Sequence, residues 1–184
     1  SFKLRYVAAA IVLLFVMIGG YTWYAMSNAT VRHYATITVK PGQKASAVLP
    51  DGTRIDLNGG TKLCYDVVPG EHREVVLNSG EAFFDVAKDA NCPFHVRVKG
   101  MQVEVLGTRF NVKTTHERVE TALFSGAVRL TANNLNRPYR MKPGQKAVYT
   151  ASTAALRWMP NDLHRDAGWK EGYLVFSSTP LNDV

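Results

Sequence analysis

The sequence is poor in the residue types and spacings that announce catalysis or metal binding. Its 184 residues hold two cysteines, Cys64 and Cys92, too few for a disulfide-built scaffold and not in a C-x-x-C pair. The five histidines (His33, His72, His95, His116 and His164) show no i, i+2 or i, i+4 spacing that would place two ligands on one face. A zinc set of Cys64, Cys92, His72 and His95 can be drawn, but no ligand spacing supports it, and no metal or other cofactor is expected. G-x-S-x-G, G-x-G-x-x-G and G-x-x-x-x-G-K-[ST] are all missing, which removes the motif basis for a nucleophile elbow or a nucleotide site. Ser79 and Ser125 each precede a glycine, where serine is a routine turn former. Glu81, Asp85 and Glu104 read as surface carboxylates. The expectation is a protein that is not an enzyme.

Charge is missing from one long stretch. No charged residue occurs from Val7 to Met26. Twenty residues at about 1.5 Å each match the roughly 30 Å hydrocarbon core of a bilayer. Lys3 and Arg5 precede the run, and Tyr21, Trp23 and Tyr24 cluster at its far end. Basic residues favour the cytoplasmic side and Trp/Tyr the headgroup interface. A single transmembrane helix over 7–26 is therefore expected, with residues 1–6 cytoplasmic and everything after Ser27 outside the cytoplasm. A cleaved signal peptide is the competing reading, since Ser27-Asn28-Ala29 loosely resembles a cleavage site, but its apolar region is usually about 7–15 residues. The first residue is Ser1, so further sequence upstream is expected.

The rest is abundant in turn signals. Pro41-Gly42, Asp51-Gly52, Gly59-Gly60, Pro69-Gly70, Ser79-Gly80, Gly100, Gly107, Ser125-Gly126 and Pro143-Gly144 punctuate runs of about six residues that alternate apolar and polar. Phe94, Val96 and Val98 face one way, and His95, Arg97 and Lys99 the other. Met101, Val103 and Val105 repeat the pattern, as do Phe110 and Val112 against Arg109, Asn111 and Lys113. No apolar i, i+3, i+4, i+7 pattern persists between Thr30 and Trp158. The expected fold is an all-β external domain of short antiparallel strands, a jelly roll, sandwich or β-helix-like stack. Boundaries fall at a linker over 27–34, the β domain over 35–160, and a linker with the start of a further module over 161–184.

The string Lys-Pro-Gly-Gln-Lys-Ala occurs at 40–45 and again at 142–147. Pro-Gly suits the centre of a type II turn, so two equivalent hairpins in a pseudo-repeated architecture are expected. They serve either as partner loops or simply as efficient turns. A weaker echo links Asn78-Ser79-Gly80-Glu81 with Phe124-Ser125-Gly126-Ala127. Cys64 and Cys92 are a possible disulfide pair in an oxidising compartment, closing a loop of about 28 residues. Lys and Arg number 22 against 15 Asp and Glu. The densest basic patch, Arg137, Arg140, Lys142 and Lys146, has no interleaved aromatics for base stacking and reads as solvated surface, with no direct nucleic-acid contact.

Several blocks then acquire a common meaning. Leu49-Pro50-Asp51-Gly52-Thr53 with Ile55, Leu57 and Asn58 resembles the opening of FecR-like anti-sigma factors. Ser79 through Asp89, Pro93 through Val96, Val103 through Thr108, Phe110-Asn111-Val112, Leu123 through Val128 and Lys142 through Gln145 follow in family order. Trp169 through Phe176, then Pro180-Leu181 and Val184, is similar to the beginning of the small α/β module that follows in members of Bacteroidetes type, with its first strand at Tyr173–Phe176. The resemblance implies a single-pass inner-membrane regulator. Its cytoplasmic segment, upstream of Ser1, would hold an extracytoplasmic-function sigma factor, and its periplasmic domain would sense an outer-membrane TonB-dependent transporter. It assigns no partner-binding residue within this chain. Two other classes fit the same topology: a membrane-tethered periplasmic jelly-roll carbohydrate-binding module or enzyme, and a self-associating envelope protein.

Overall fold

The computed structural model describes residues 2–27, 34–133, 135 and 137–171. The linker residues 28–33 with His33, the expected Tyr173–Phe176 strand and the remainder to Val184 lie outside them. The chain divides into two compact units, Ser1–His33 and Tyr34–Val184. The first is the helix α1 (Phe2–Ser27), continuous through the uncharged run. Among the described residues no helix is long and apolar enough to cross a membrane.

The second unit is β-rich, as the alternating runs predict. Its strands are β1 (Ala35–Thr38), β2 (Ala45–Val48), β3 (Arg54–Leu57), β4 (Lys62–Val68), β5 (His72–Asp85), β6 (Phe94–Val98) and β7 (Met101–Val105). There follow β8 (Arg109–Thr114), β9 (Arg118–Ser125), β10 (Val128–Ala132), β11 (Tyr139–Met141), β12 (Gln145–Thr150) and β13 (Ala155–Pro160), then the helix α2 (Leu163–Glu171). One sheet has the order β11-β10-β7-β6-β5-β4-β1 and the other β13-β12-β9-β8-β5-β3-β2. The long strand β5 belongs to both. Its first half pairs with β4 and β6, its second half with β3 and β8. All pairings are antiparallel except β5 with β6.

Gly80 is where β5 changes sheets. It has φ +88°, and a Cβ there would stand 2.5 Å from the Cα of Thr61, so only glycine fits. The Ser79-Gly80 pair is thus a bend inside a strand and not the turn expected from sequence. Its echo, Ser125-Gly126, performs the same task at the junction of β9 and β10, again with φ +88° and again between sheets. The two Lys-Pro-Gly-Gln strings likewise close matching turns, Gln43 N to Lys40 O at 3.1 Å and Gln145 N to Lys142 O at 3.2 Å. They do not form hairpins. Each carries the chain from an edge strand of the first sheet, β1 or β11, into the second sheet at β2 or β12.

The two inner faces enclose one apolar core. Phe84 stacks on Phe110 at 5.0 Å from the second sheet and meets Phe94 of the first edge-on at 6.2 Å. Val75, Leu77, Val96, Val103 and Leu130 face Ile55, Leu57, Val112 and Leu123 across it. The predicted phases of β6 and β7 hold: Phe94, Val96, Val98, Met101, Val103 and Val105 are all buried. At β8 the phase is right and Arg109 and Lys113 are exposed, but Asn111 between them on the same face is only 4% accessible. Its Nδ2 donates to Glu81 Oε1 at 2.8 Å, and Asn58 Nδ2 donates to Glu81 Oε2 at 3.1 Å. Glu81 is therefore a buried, bonded carboxylate rather than a surface one.

Candidate functional site

Two charged constructions stand out, one inside the sandwich and one on its outer face. The first begins at Arg73, which keeps step with Val75 and Leu77 along β5 and so points into the core, 1% accessible. Its guanidinium lies 5.6 Å from the Phe94 ring. Nε donates to Cys92 O at 2.8 Å, Nη1 to Ala87 O at 2.8 Å and to Asp51 Oδ2 at 3.2 Å, and Nη2 to Asp89 O at 3.3 Å and to Cys92 O. Asp51 in turn accepts from Thr53 N at 3.0 Å and Thr53 Oγ1 at 2.7 Å, and Ala87 N donates to Thr53 Oγ1 at 3.1 Å. The Pro-Asp-Gly-Thr turn, the segment 86–93 and β5 are thereby tied to one buried cation. This is scaffolding: the donors are spent on backbone carbonyls and one carboxylate.

The second construction uses the repeated lysines. Lys44 and Lys146, each the second lysine of its Lys-Pro-Gly-Gln-Lys string, both reach α2. Lys44 Nζ donates to the carbonyl of Trp169, and Lys146 Nζ lies 2.6 Å from Asp166 Oδ1 and 2.6 Å from Glu120 Oε2. From the helix side, Lys170 Nζ meets Asp56 Oδ2 at 2.8 Å and sits 3.7 Å from the centroid of the Phe83 ring. Asp166 also accepts from Asp162 N at 2.9 Å, closing the first turn of α2. Asn161 anchors the approach, its N donating to Gly144 O at 2.8 Å and its Nδ2 to Leu123 O at 2.9 Å. A nine-residue helix is marginal alone, so these contacts hold it on the outer face of the second sheet. A cleft of about 730 Å³ runs beside it, with Glu81, Lys113, Glu120, Lys146 and Arg157 in its walls.

The ionisations under α2 are displaced. Burial pushes the Asp56 carboxyl up, but hydrogen bonds from Lys170 and Ser46 and the nearby positive charges outweigh it and hold the group below the usual carboxylate range. Burial alone would lower Lys146, but its hydrogen bonds and charge attraction to Asp166 and Glu120 hold it above the usual lysine value. Lys146 thus leaves the solvated basic patch read from sequence, whereas Arg137, Arg140 and Lys142 are exposed.

The remaining sequence candidates are dispersed. His72 pairs with Asp66 at 2.9 Å, His95 Nδ1 lies 3.1 Å from Gln102 Nε2, and His116 is exposed. The His164 side chain lies outside the described residues. Asp85 is 3.7 Å from Arg109, and Glu104 is 3.1 Å from Arg129. Cys64 and Cys92 are both free. Cys64 lies beside Thr36 Oγ1 and Asn78 Nδ2, while Cys92 is buried with its carbonyl on Arg73, so the bridge weighed from sequence is not formed. Among the described residues no group of three His, Cys, Asp or Glu side chains is placed to hold a metal ion. Sequence reading missed Arg73, Asp51 as its partner, and α2 with its lysines. The available signals were the phase of Arg73 with Val75 and Leu77, and the repeated Lys44 and Lys146.

The architecture is a two-sheet β scaffold with the helix α2 clamped to one face by ion pairs, and a scaffold of this kind names no activity by itself. The comparisons narrow the reading. The family described as FecR protein matches residues 35–129. Two crystal structures of a protein assigned as an anti-sigma factor from Parabacteroides distasonis are similar in fold and sequence. One has a TM-score of 0.72 at 30% identity over 82% of this chain and 71% of that chain. The other has 0.71 at 30% identity over 80% and 70%. No curated protein matches the chain. The chain belongs to the FecR family of regulators, a non-enzymatic kind of protein whose membership implies a sigma factor as partner.

Proposed function

We propose that this chain is the anchor and external relay domain of an inner-membrane anti-sigma factor. In this reading α1 crosses the membrane once with its N-terminus in the cytoplasm, and the β domain stands in the periplasm. A segment preceding Ser1 holds an extracytoplasmic-function sigma factor, and the β domain receives its signal from an outer-membrane TonB-dependent transporter. The observation that carries the reading is the FecR match over 35–129, supported by structural neighbours assigned as anti-sigma factors. The uncharged run Val7–Met26, with Lys3 and Arg5 before it and aromatics at its end, supports the topology. The clamp on α2 supports a relay: the helix connects the β domain to whatever follows, through contacts that salt and pH can weaken.

The test is co-purification of the full gene product, including sequence before Ser1, with sigma factors from the same cell. Stoichiometric capture of one sigma factor is the expected result. Failure of capture by a correctly inserted protein favours the tethered binding module instead. Alkaline phosphatase fused after Asn161 is expected to be active, and an inactive fusion overturns the external placement.

A further inference from the structure

Three of the sequence blocks used above meet at one place, one of them the segment that Arg73 also holds through Ala87 O and Asp89 O. The segment 86–90, the Leu106-Gly107-Thr108 turn and Ala127-Val128 converge at one end of the first sheet. Val86 N donates to Thr108 O at 3.1 Å, Asp89 N to Leu106 O at 2.8 Å, and Thr108 Oγ1 to Ala127 O at 3.0 Å. The approach is close: a Cβ on Gly107 would stand 2.8 Å from the Cα of Lys88, and one on Gly126 would stand 2.7 Å from Thr108 Oγ1. The hydrogen bonds fix the walls of a pocket of about 280 Å³. Its lining is mainly apolar, including Val105, Ala127 and Leu106, and Leu106 is left 45% exposed.

The pocket's rim is cationic. Lys88, Arg129 and Arg140 border it, with Glu104 as the one acid among the lining residues. Glu104 is engaged by Arg129 at 3.1 Å. Arg140 sits directly opposite Arg129 across the β10–β11 pairing, a like-charge cross-strand pair that works against the sheet. Among the described residues neither Lys88 nor Arg140 has a carboxylate partner. An apolar pocket beside two uncompensated cations, one of them placed at a cost to strand pairing, is complementary to an apolar side chain flanked by carboxylates.

We infer that this pocket is a docking site for an acidic, apolar segment of a partner protein, which seats a large aliphatic or aromatic side chain over Leu106 and pairs its carboxylates with Lys88 and Arg140. The inference goes beyond the regulator reading and does not depend on which compartment holds the domain. It is tested by fluorescence anisotropy on the chain 1–184 with a fluorescein-labelled peptide Gly-Asp-Glu-Leu-Glu-Asp-Gly. Controls are the same peptide with serine for leucine and with lysines for the acids. The acidic leucine peptide is expected to bind saturably, the lysine peptide not at all, and the serine peptide about ten-fold more weakly. Arg140→Glu and Lys88→Glu are each expected to weaken binding about ten-fold or more. Arg140→Glu should at the same time leave the melting temperature unchanged or raised, because it places an acid opposite Arg129. Failure of the acidic peptide to bind, equal binding of the lysine peptide, or unchanged affinity in Arg140→Glu would overturn the proposal.

Discussion

The Arg73 staple and the α2 clamp use the same chemistry under different conditions. Arg73 is 1% accessible and shares its donors among three backbone carbonyls and one carboxylate. In the clamp, Lys146 and Lys170 retain 11% and 26% of their side-chain exposure and are bonded to side-chain carboxylates, and Lys44 is exposed. Burial makes the first expensive to break, since removing one partner leaves the others unpaired in a low dielectric. Partial exposure lets water and ions replace the second at modest cost. The difference fits their positions. Six of the passages between sheets contain glycine, at Gly42, Gly59-Gly60, Gly80, Gly107, Gly126 and Gly144, whereas the segment 86–93 has none. That segment is the one Arg73 holds from within.

The comparison breaks most visibly at Arg73. Arg73→Met is expected to cost about 3–5 kcal/mol by stranding the Asp51 carboxylate, read as a lower urea midpoint for the whole β domain. An unchanged midpoint would mean that the segment 86–93 holds itself. Gly80→Ala should follow, with at least about 1 kcal/mol lost because the new Cβ meets the backbone of Thr61. Near-normal stability in that variant would show that β5 can change sheets without a left-handed residue.

The clamp predicts smaller and more local effects. Lys146→Gln is expected to weaken helix docking by about 1 kcal/mol, with faster protease cleavage within 161–171 while the urea midpoint of the β domain stays nearly constant. If both change together, α2 is part of the folding unit and not a detachable joint. Raising NaCl to about 1 M shortens the screening length to roughly 3 Å. Amide protection in α2 should then fall, while that of Val75 and Leu77 does not. The pH dependence has a definite sign at each end. The lowered Asp56 value means its contribution is present above the ordinary aspartate range and lost as pH falls through the folded value. The raised Lys146 value means its contribution is present below the ordinary lysine range and lost as pH rises through the folded value. Docking measured by hydrogen exchange should therefore be strongest between about pH 4 and 10, and a flat profile across both limits would remove these pairs as the cause.

Alternation and turn residues were enough to read β6, β7 and the inward face of β8, because a two-residue period has one solution when one face is buried. The same rule located no partner for any strand. Ser79-Gly80 reads as a turn in one dimension and is a bend within β5 in three, since a positive φ serves either purpose. The Lys-Pro-Gly-Gln turns were legible as turns, but a turn's sequence does not say whether its flanking strands pair with each other. The bond from Asn111 Nδ2 to Glu81 forms only because β5 and β8 are neighbours, between residues 30 apart in the chain.

What the sequence determined by itself was local: strand phases, turn chemistry, the uncharged run and the ordered blocks that mark the family. What the tertiary structure alone decided was which polar groups left water. Arg73 lies inside because Asp51 and the carbonyls of Ala87, Asp89 and Cys92 converge on it from distant segments, which makes burying a guanidinium tolerable. Lys146 leaves the solvated surface because α2 brings Asp166 to it, whereas Arg140 in the same basic stretch pairs with no acid among the described residues. Burial of charge depends on partners, and partners are set by the fold.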